Sequence, residues 1–199
     1  MAPQSSAKER LLDAAEDLAA TQGMTVTPVD VILARAGVSP ATLYAHFGNK
    51  EGLMIQALER RLTRWDAIWQ ECVDDAGSAE DRVLALFDAL LLHRRALTPS
   101  RWCVFLGAAA ETPELGRGLE DVLAGDTGLL TRRLVDLSEP VVGAERAPLV
   151  TEQLVLIYTG VLGMFLRGTD PVRAVAHGRD LAALVLRAAS AEAVRRPVD

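Results

Sequence analysis

The chain has 199 residues, half of them hydrophobic and about a quarter charged, with a net charge of -6. That balance is ordinary for a globular protein with room for one or two domains. The acidity argues against nucleic-acid binding through bulk positive charge, so any grip on phosphate must come from the placement of a few cations.

Residues 1–50 are the least acidic part, yet they hold four Lys and Arg against five Asp and Glu. Apolar runs such as 154–158 and 161–166 are short and separated by Thr and Gly, so no membrane span is expected. The first ten residues lack the apolar core of a signal peptide, which makes a cytoplasmic location the expectation. Cys72 and Cys103 show neither zinc spacing nor a disulfide framework, and read as buried free thiols.

Taken in order, residues 1–5 are expected to be disordered. Ser6 and Glu9 have the spacing of a capping box, and Leu11, Leu12, Ala15, Leu18 and Ala19 mark an amphipathic helix stopped by Gly23. Thr27-Pro28-Val29-Asp30 is the next start signal, with Thr27 as the capping hydroxyl. Val29, Ile32 and Ala36 share a helical face, and Gly37 supplies the positive φ that closes a helix. Ser39 then caps a second helix with Pro40 at its first position. Leu43 and Phe47 lie four apart and can pack on the helix before, which leaves Thr42, Tyr44 and His46 partly free. This is helix-turn-helix logic: one helix braces while the next enters the major groove.

Gly48 ends the second helix, and Asn49 caps a long connecting helix carrying Leu53, Ala57, Leu58, Leu62, Trp65, Ile68, Trp69 and Cys72. Residues 74–78 form the clearest linker. Residues 79–97 read as a core helix with a stripe of Val83, Leu86, Phe87, Leu90 and Leu91, broken at 98–100. Residues 102–110 are apolar nearly all round, which marks a central helix, followed by a break at 112–114. A helical pattern then runs to about Leu137, weakened by Gly125 and Gly128, with a loop from Pro140 to Pro148. Residues 149–166 and 172–189 are the last two helices, before a tail at 194–199 expected to fray. The class is all-α: an N-terminal three-helix helix-turn-helix unit followed by a helical bundle.

The segments 36–39, 41–47 and 49–53 (AGVS, ATLYAHF and NKEGL) together resemble the DNA-binding domain of the TetR family of bacterial transcriptional regulators. The close match covers about a quarter of the chain. Two positions depart from the pattern: Leu33 replaces a usual small Ala, and Pro40 replaces a common polar or basic residue and offers no donor.

The resemblance implies a homodimer that binds double-stranded DNA as a repressor and releases it on binding a small effector. The expected DNA-contacting set is Thr27, Ser39, Pro40, Ala41, Thr42, Tyr44, His46 and Lys50, with Lys8, Arg10 and helix N-termini as further phosphate contacts. The division expected is a DNA-binding domain over 1–50, its connecting helix running to about 72, and a ligand-binding and dimerisation domain over 51–199. Dimer contact is expected through 149–166 and 172–189, where Gly160, Gly163 and Ala183 would allow close approach. Trp65, Trp69, Phe87, Trp102, Phe105, Tyr158 and Phe165 either pack the core or line an effector cavity, with His93, Glu111 and Arg101 as the polar groups nearest in sequence. Few charges fall among them, so a mainly apolar effector is expected.

Rival readings find less support. His46, His93 and His177 share no metal spacing, residues 116–118 are not a phosphate loop, and Ser100 lacks a nucleophile context, so neither enzyme nor cofactor is expected. His177 and Asp180 are three apart and could pair, yet a solvated helix face explains them as well. A sensor or protein-interaction module with weakened DNA binding would rest on Leu33, Pro40 and the acidity. A redox sensor would rest on Cys72 or Cys103, the latter near Arg101.

Overall fold

The computed structural model describes residues 5–96, 103–111 and 116–195. Among these stand nine helices and no strand: α1 (Ala7–Gln22), α2 (Val29–Ala36), α3 (Pro40–Phe47), α4 (Lys50–Asp74), α5 (Ala79–Ala96), α6 (Val104–Glu111), α7 (Arg117–Val142), α8 (Ala147–Leu166) and α9 (Pro171–Arg195). The chain is all-α, as the periodicity predicts. The breaks expected at 98–100 and 112–114 lie outside the described residues, as do Arg101, Trp102 and residues 1–4 and 196–199.

The chain divides into two compact units, Met1–Arg64 with Thr98–Asp126, and Trp65–Leu97 with Thr127–Asp199. The first is built on Leu11, Leu18, Ile32, Leu43, Leu53, Leu58, Phe105 and Leu119. Its α1 begins with the expected capping box: Glu9 N–H donates to Ser6 Oγ at 3.1 Å and Ser6 N–H to Glu9 Oε2 at 2.7 Å. Glu16 is buried on the apolar face of α1 and is held by Arg60 Nε and by Arg64 Nη1, the latter at 2.9 Å. Arg60 also reaches Asp13 at 2.8 Å, so two carboxylates of α1 and two guanidinium groups of α4 neutralise one another. A buried carboxylate is tolerable only when paired in this way.

The second unit is built on Trp69, Phe87, Leu86, Leu134, Leu154 and Leu186. Its α9 packs on both α5 and α8. Gly178 makes that possible, because a Cβ there would collide with Val161 and press on the Phe87 ring. Gly160 and Gly163, which the sequence assigns to close approach by a second subunit, have open space where a Cβ would stand.

Three expectations need correction. The sequence places Thr27 as the cap of α2, but Pro28 holds that position without a side-chain bond and Thr27 Oγ1 donates back to Gly23 C=O at 2.6 Å. The loop expected from Pro140 to Pro148 is shorter, 143–146: α7 runs through Pro140 to Val142, which is buried, and Ser190 Oγ donates to Val141 C=O at 3.0 Å, so α9 holds the turn that proline weakens. Helix α6 is not buried all round, since Val104, Phe105 and Ala108 face inward while Ala109 and Ala110 are exposed. Helix α8 is long and apolar enough to cross a membrane by length and composition, a test that the core helix of a soluble protein also passes.

Asp126 on α7 is largely enclosed, and burial pushes its carboxyl from an ordinary 3.8 up to about 6. A carboxyl raised in the folded state binds its proton more tightly there than in the unfolded chain. Its contribution therefore favours folding at low pH and is lost as pH rises from about 4 to about 6. Asp126→Asn should leave stability nearly unchanged near pH 4 and raise it by roughly 1–3 kcal/mol at pH 7.5. Denaturant titrations at both pH values check this, and an equal effect at both would contradict it.

Candidate nucleic-acid interface

Three short-range devices shape the site. Gly37 adopts the left-handed conformation at φ 63, and its N–H turns back to close α2. Ser39 then caps α3: its Oγ accepts from Thr42 N–H at 3.3 Å and lies 2.9 Å from Thr42 Oγ1. Gly48 ends the helix after two turns, its N–H donating to Tyr44 C=O at 3.0 Å. The turn between α2 and α3 is thus fixed by its own sequence.

Packing then decides which side of α3 faces out. Leu43 is 0% exposed and Phe47 7% exposed, while α1 packs against both α2 and α3. Ile32, Leu33 and Ala36 supply the α2 side of the same core, so Leu33 is accommodated despite its size. Ser39, Pro40, Ala41, Tyr44, Ala45 and His46 are exposed, and Thr42 is half-buried. Tyr44 keeps 57% of its surface in solvent, a large exposure for an aromatic side chain. The solvent side of α3 therefore offers a hydroxyl and an imidazole on one flank, since Thr42 and His46 are four apart, and the Tyr44 phenol on the other flank.

The other expected contacts are placed differently. Thr27 is 0% exposed, so its hydroxyl has no surface to offer phosphate and it leaves the contact set. Lys50 Nζ donates to Thr25 C=O at 3.0 Å, and partial burial lowers its pKa against the opposing pull of Glu111. Arg10, expected to face phosphate, is turned inward: its Nε donates to Ala36 C=O at 3.0 Å and its Nη1 to Ser5 C=O at 2.8 Å. It thereby satisfies a carbonyl at the C-terminus of α2, where a cation is favoured. Arg35 pairs with Asp17 at 2.7 Å, and Lys8 lies 5.9 Å from the Phe47 ring centre.

Sequence reading missed Glu16 as a buried group, although a signal existed. Glu16 sits four residues from Leu12 and three from Ala19, on the face that periodicity assigns to the core. It also missed Glu111 as a partner of the α1–α2 link, since Thr25 N–H donates to Glu111 Oε2 at 2.8 Å. No local pattern announces a contact across 86 positions.

The expected effector-binding residues fall into separate places. Trp65 gathers Trp69, His93 and Tyr158 around it, with ring centres 5.4–6.2 Å away. Arg133 stacks over Trp69 at 4.9 Å and pairs with Asp66 at 2.6 Å. Phe87 packs against Gly178, and Phe165 lies under the Arg94 guanidinium at 4.4 Å. Phe105 belongs to the core of the first unit, and Trp102 lies outside the described residues. Trp69 Nε1 is buried without a hydrogen-bond partner among the described residues.

Both thiols are held in their protonated form. Burial pushes Cys103 up to about 11, with Asp126 adding to the rise. Burial and then Asp88, Asp75 and Glu71 push Cys72 upward as well. Neither environment favours the thiolate that a redox sensor needs. Among the described residues no group of three or more His, Cys, Asp and Glu stands where it could hold a metal ion.

Comparison with known proteins bears on this geometry. Residues 11–57 match the family model for bacterial regulatory proteins of the tetR family, a span from α1 into α4 that contains the whole site. A TetR-family transcriptional regulator from Streptomyces coelicolor superposes with a TM-score of 0.84 at 24% identity, over 94% of this chain and 97% of that one. A TetR regulator from Legionella pneumophila gives 0.78 at 19% identity, over 90% and 97%. A tetR-type regulator from Streptomyces avermitilis gives 0.72 at 26% identity, over 89% and 98%. The search of curated proteins finds no match. Residues 11–57 thus carry the tetR-family DNA-binding domain, and the fold of the chain is that of the solved TetR-family regulators.

Ser39→Ala removes the cap of α3 without touching its buried face. The expected cost is about 1 kcal/mol, read as a lower denaturation midpoint at unchanged slope. A variant as stable as the parent would show that the cap contributes nothing.

Proposed function

We propose that the chain is a cytoplasmic repressor that binds a palindromic operator as a homodimer and releases it on taking up a small, mainly apolar effector. The observation that carries this reading is the solvent side of α3, where Thr42 and His46 share one flank and Tyr44 stands on the other, beside a well-anchored turn. In this reading residues 1–50 read DNA, and 51–199 bind the effector and the second subunit. Ser39, Pro40 and Ala41 bring the N-terminus of α3 to the duplex. Tyr44 and Lys50 meet phosphate, the latter through donors beyond the one given to Thr25. Thr42 and His46 reach base edges.

Support for a second copy comes from α8 and α9. Leu149, Leu156 and Met164 on α8 and Leu181 and Leu184 on α9 are large, apolar and exposed. Gly160 and Gly163 lie along the same outward side of α8 with nothing near them. Such a surface suits a two-fold contact, and a two-fold places two reading helices about 34–36 Å apart, one turn of DNA. Support for an effector is the Trp65, Trp69, His93 and Tyr158 cluster, whose buried indole N–H is a ready donor for one acceptor on an otherwise apolar molecule.

Selection of bound duplexes from random oligonucleotides tests the reading as a whole. A palindromic consensus with half-sites one turn apart is expected; recovery of no duplex would overturn it. With that consensus in hand, Tyr44→Ala should weaken binding to all sequences by a similar factor, because phosphate contacts position without specifying. Thr42→Ala should instead change the order of preference among half-site variants, and an unchanged order removes Thr42 from direct readout. Leu156→Arg should convert a dimer to a monomer in sedimentation while leaving the helical content intact. A variant that still sediments as a dimer would move the contact elsewhere.

A further inference from the structure

The link between α1 and α2, residues 23–27, decides where α2 and then α3 leave α1. It is gripped from outside the helix-turn-helix. Thr25 donates its N–H to Glu111 Oε2 at 2.8 Å and offers its C=O to Lys50 Nζ at 3.0 Å. One residue of the link is thus held on both of its peptide groups, by a side chain from α6 and another from α4. Gly23 lies so close to the Glu111 carboxylate that a Cβ at this position would collide with it. Glu111 and Lys50 also attract each other, which counters the burial of the ammonium. A bond to a charged acceptor is stronger than a neutral one, and the backbone of an irregular link is otherwise free to wander.

We propose that Glu111, the last residue of α6, is a positioning residue for DNA binding: it fixes the α1–α2 link and so the angle at which α3 is presented. It contacts no DNA in this account and acts through Thr25. The affinity arm of the test rests on the function proposed above; the structural arm does not.

The experiment compares the intact wild-type chain with Glu111→Ala and Glu111→Gln. Backbone amide exchange is read by NMR, and affinity is measured for the duplex recovered by selection. In Glu111→Ala the Thr25 amide should exchange at least about tenfold faster while the amides of Leu11 and Leu43 keep their rates. Duplex affinity should fall about tenfold with the order of sequence preference unchanged. Glu111→Gln keeps a carbonyl acceptor on the same stem and should recover part of both losses. An unchanged Thr25 rate, or a faster one with unchanged affinity, overturns the proposal. So does a loss of affinity accompanied by faster exchange at Leu11 and Leu43, which would mark general destabilisation. A wild-type chain that binds no duplex counts against the regulator reading, whereas normal wild-type binding with an unaffected Glu111→Ala variant counts against Glu111 alone.

Discussion

An eight-residue helix does not hold itself up in water, because nucleation is costly and two turns return few bonds. Helix α3 exists as a presenting surface only because Leu43 and Phe47 are buried. Full burial of two such side chains stabilises by roughly 1.5–3 kcal/mol each, enough to outweigh the poor propensity of a short segment. The same two anchors fix the rotation of the helix about its axis. With Leu43 and Phe47 inward, Tyr44 and His46 have nowhere to go but out. Placement of the functional face is therefore a by-product of packing, and the capping bonds of Ser39 and the left-handed Gly37 set only where the helix starts.

Charge plays an unexpected part in that unit. Several cations an acidic protein might turn toward phosphate are used internally. Arg10 satisfies the end of α2, Arg35 pairs with Asp17, and Arg60 and Arg64 neutralise the buried Glu16. Each of these ties one helix of the first unit to another. The arginines thus secure the scaffold, and the outward face of α3 is left with groups that are polar but mostly neutral. A surface of that kind favours hydrogen bonds from hydroxyls and helix N-termini over a dense array of ion pairs. On the proposed reading, binding should depend on salt only moderately.

The helix-turn-helix could be read from the chain because its determinants are local. A cap, a glycine and an apolar pair four residues apart sit within one stretch, and each does in the structure what its chemistry dictates. The features that escaped are non-local. Glu16 needed knowledge of α4, Glu111 of the α1–α2 link, and Gly178 of both Phe87 and Val161. Thr27 shows the limit of local signals: its hydroxyl had two possible partners, and burial of the side chain chose the one behind it. Pro140 shows the same limit from the other side, since a residue that breaks helices is overruled once α9 supports the turn around it. The aromatic residues were legible as apolar, but spacing could not tell a packed cluster from a cavity wall.

Helix α8 poses the sharpest choice between environments, being apolar enough to enter a bilayer and yet only partly covered by its own chain. Its outward side favours a protein surface on physical grounds. Leu149, Leu156 and Met164 are interrupted there by the exposed Glu152, Gln153 and Thr159. In hydrocarbon a carboxylate and an amide in the second turn of the helix would be unpaired and would cost several kcal/mol. Against another protein surface they can meet complementary groups or remain at a hydrated rim, while the leucines between them are covered. The same interruptions that would cost α8 in lipid are compatible with the second copy proposed for it.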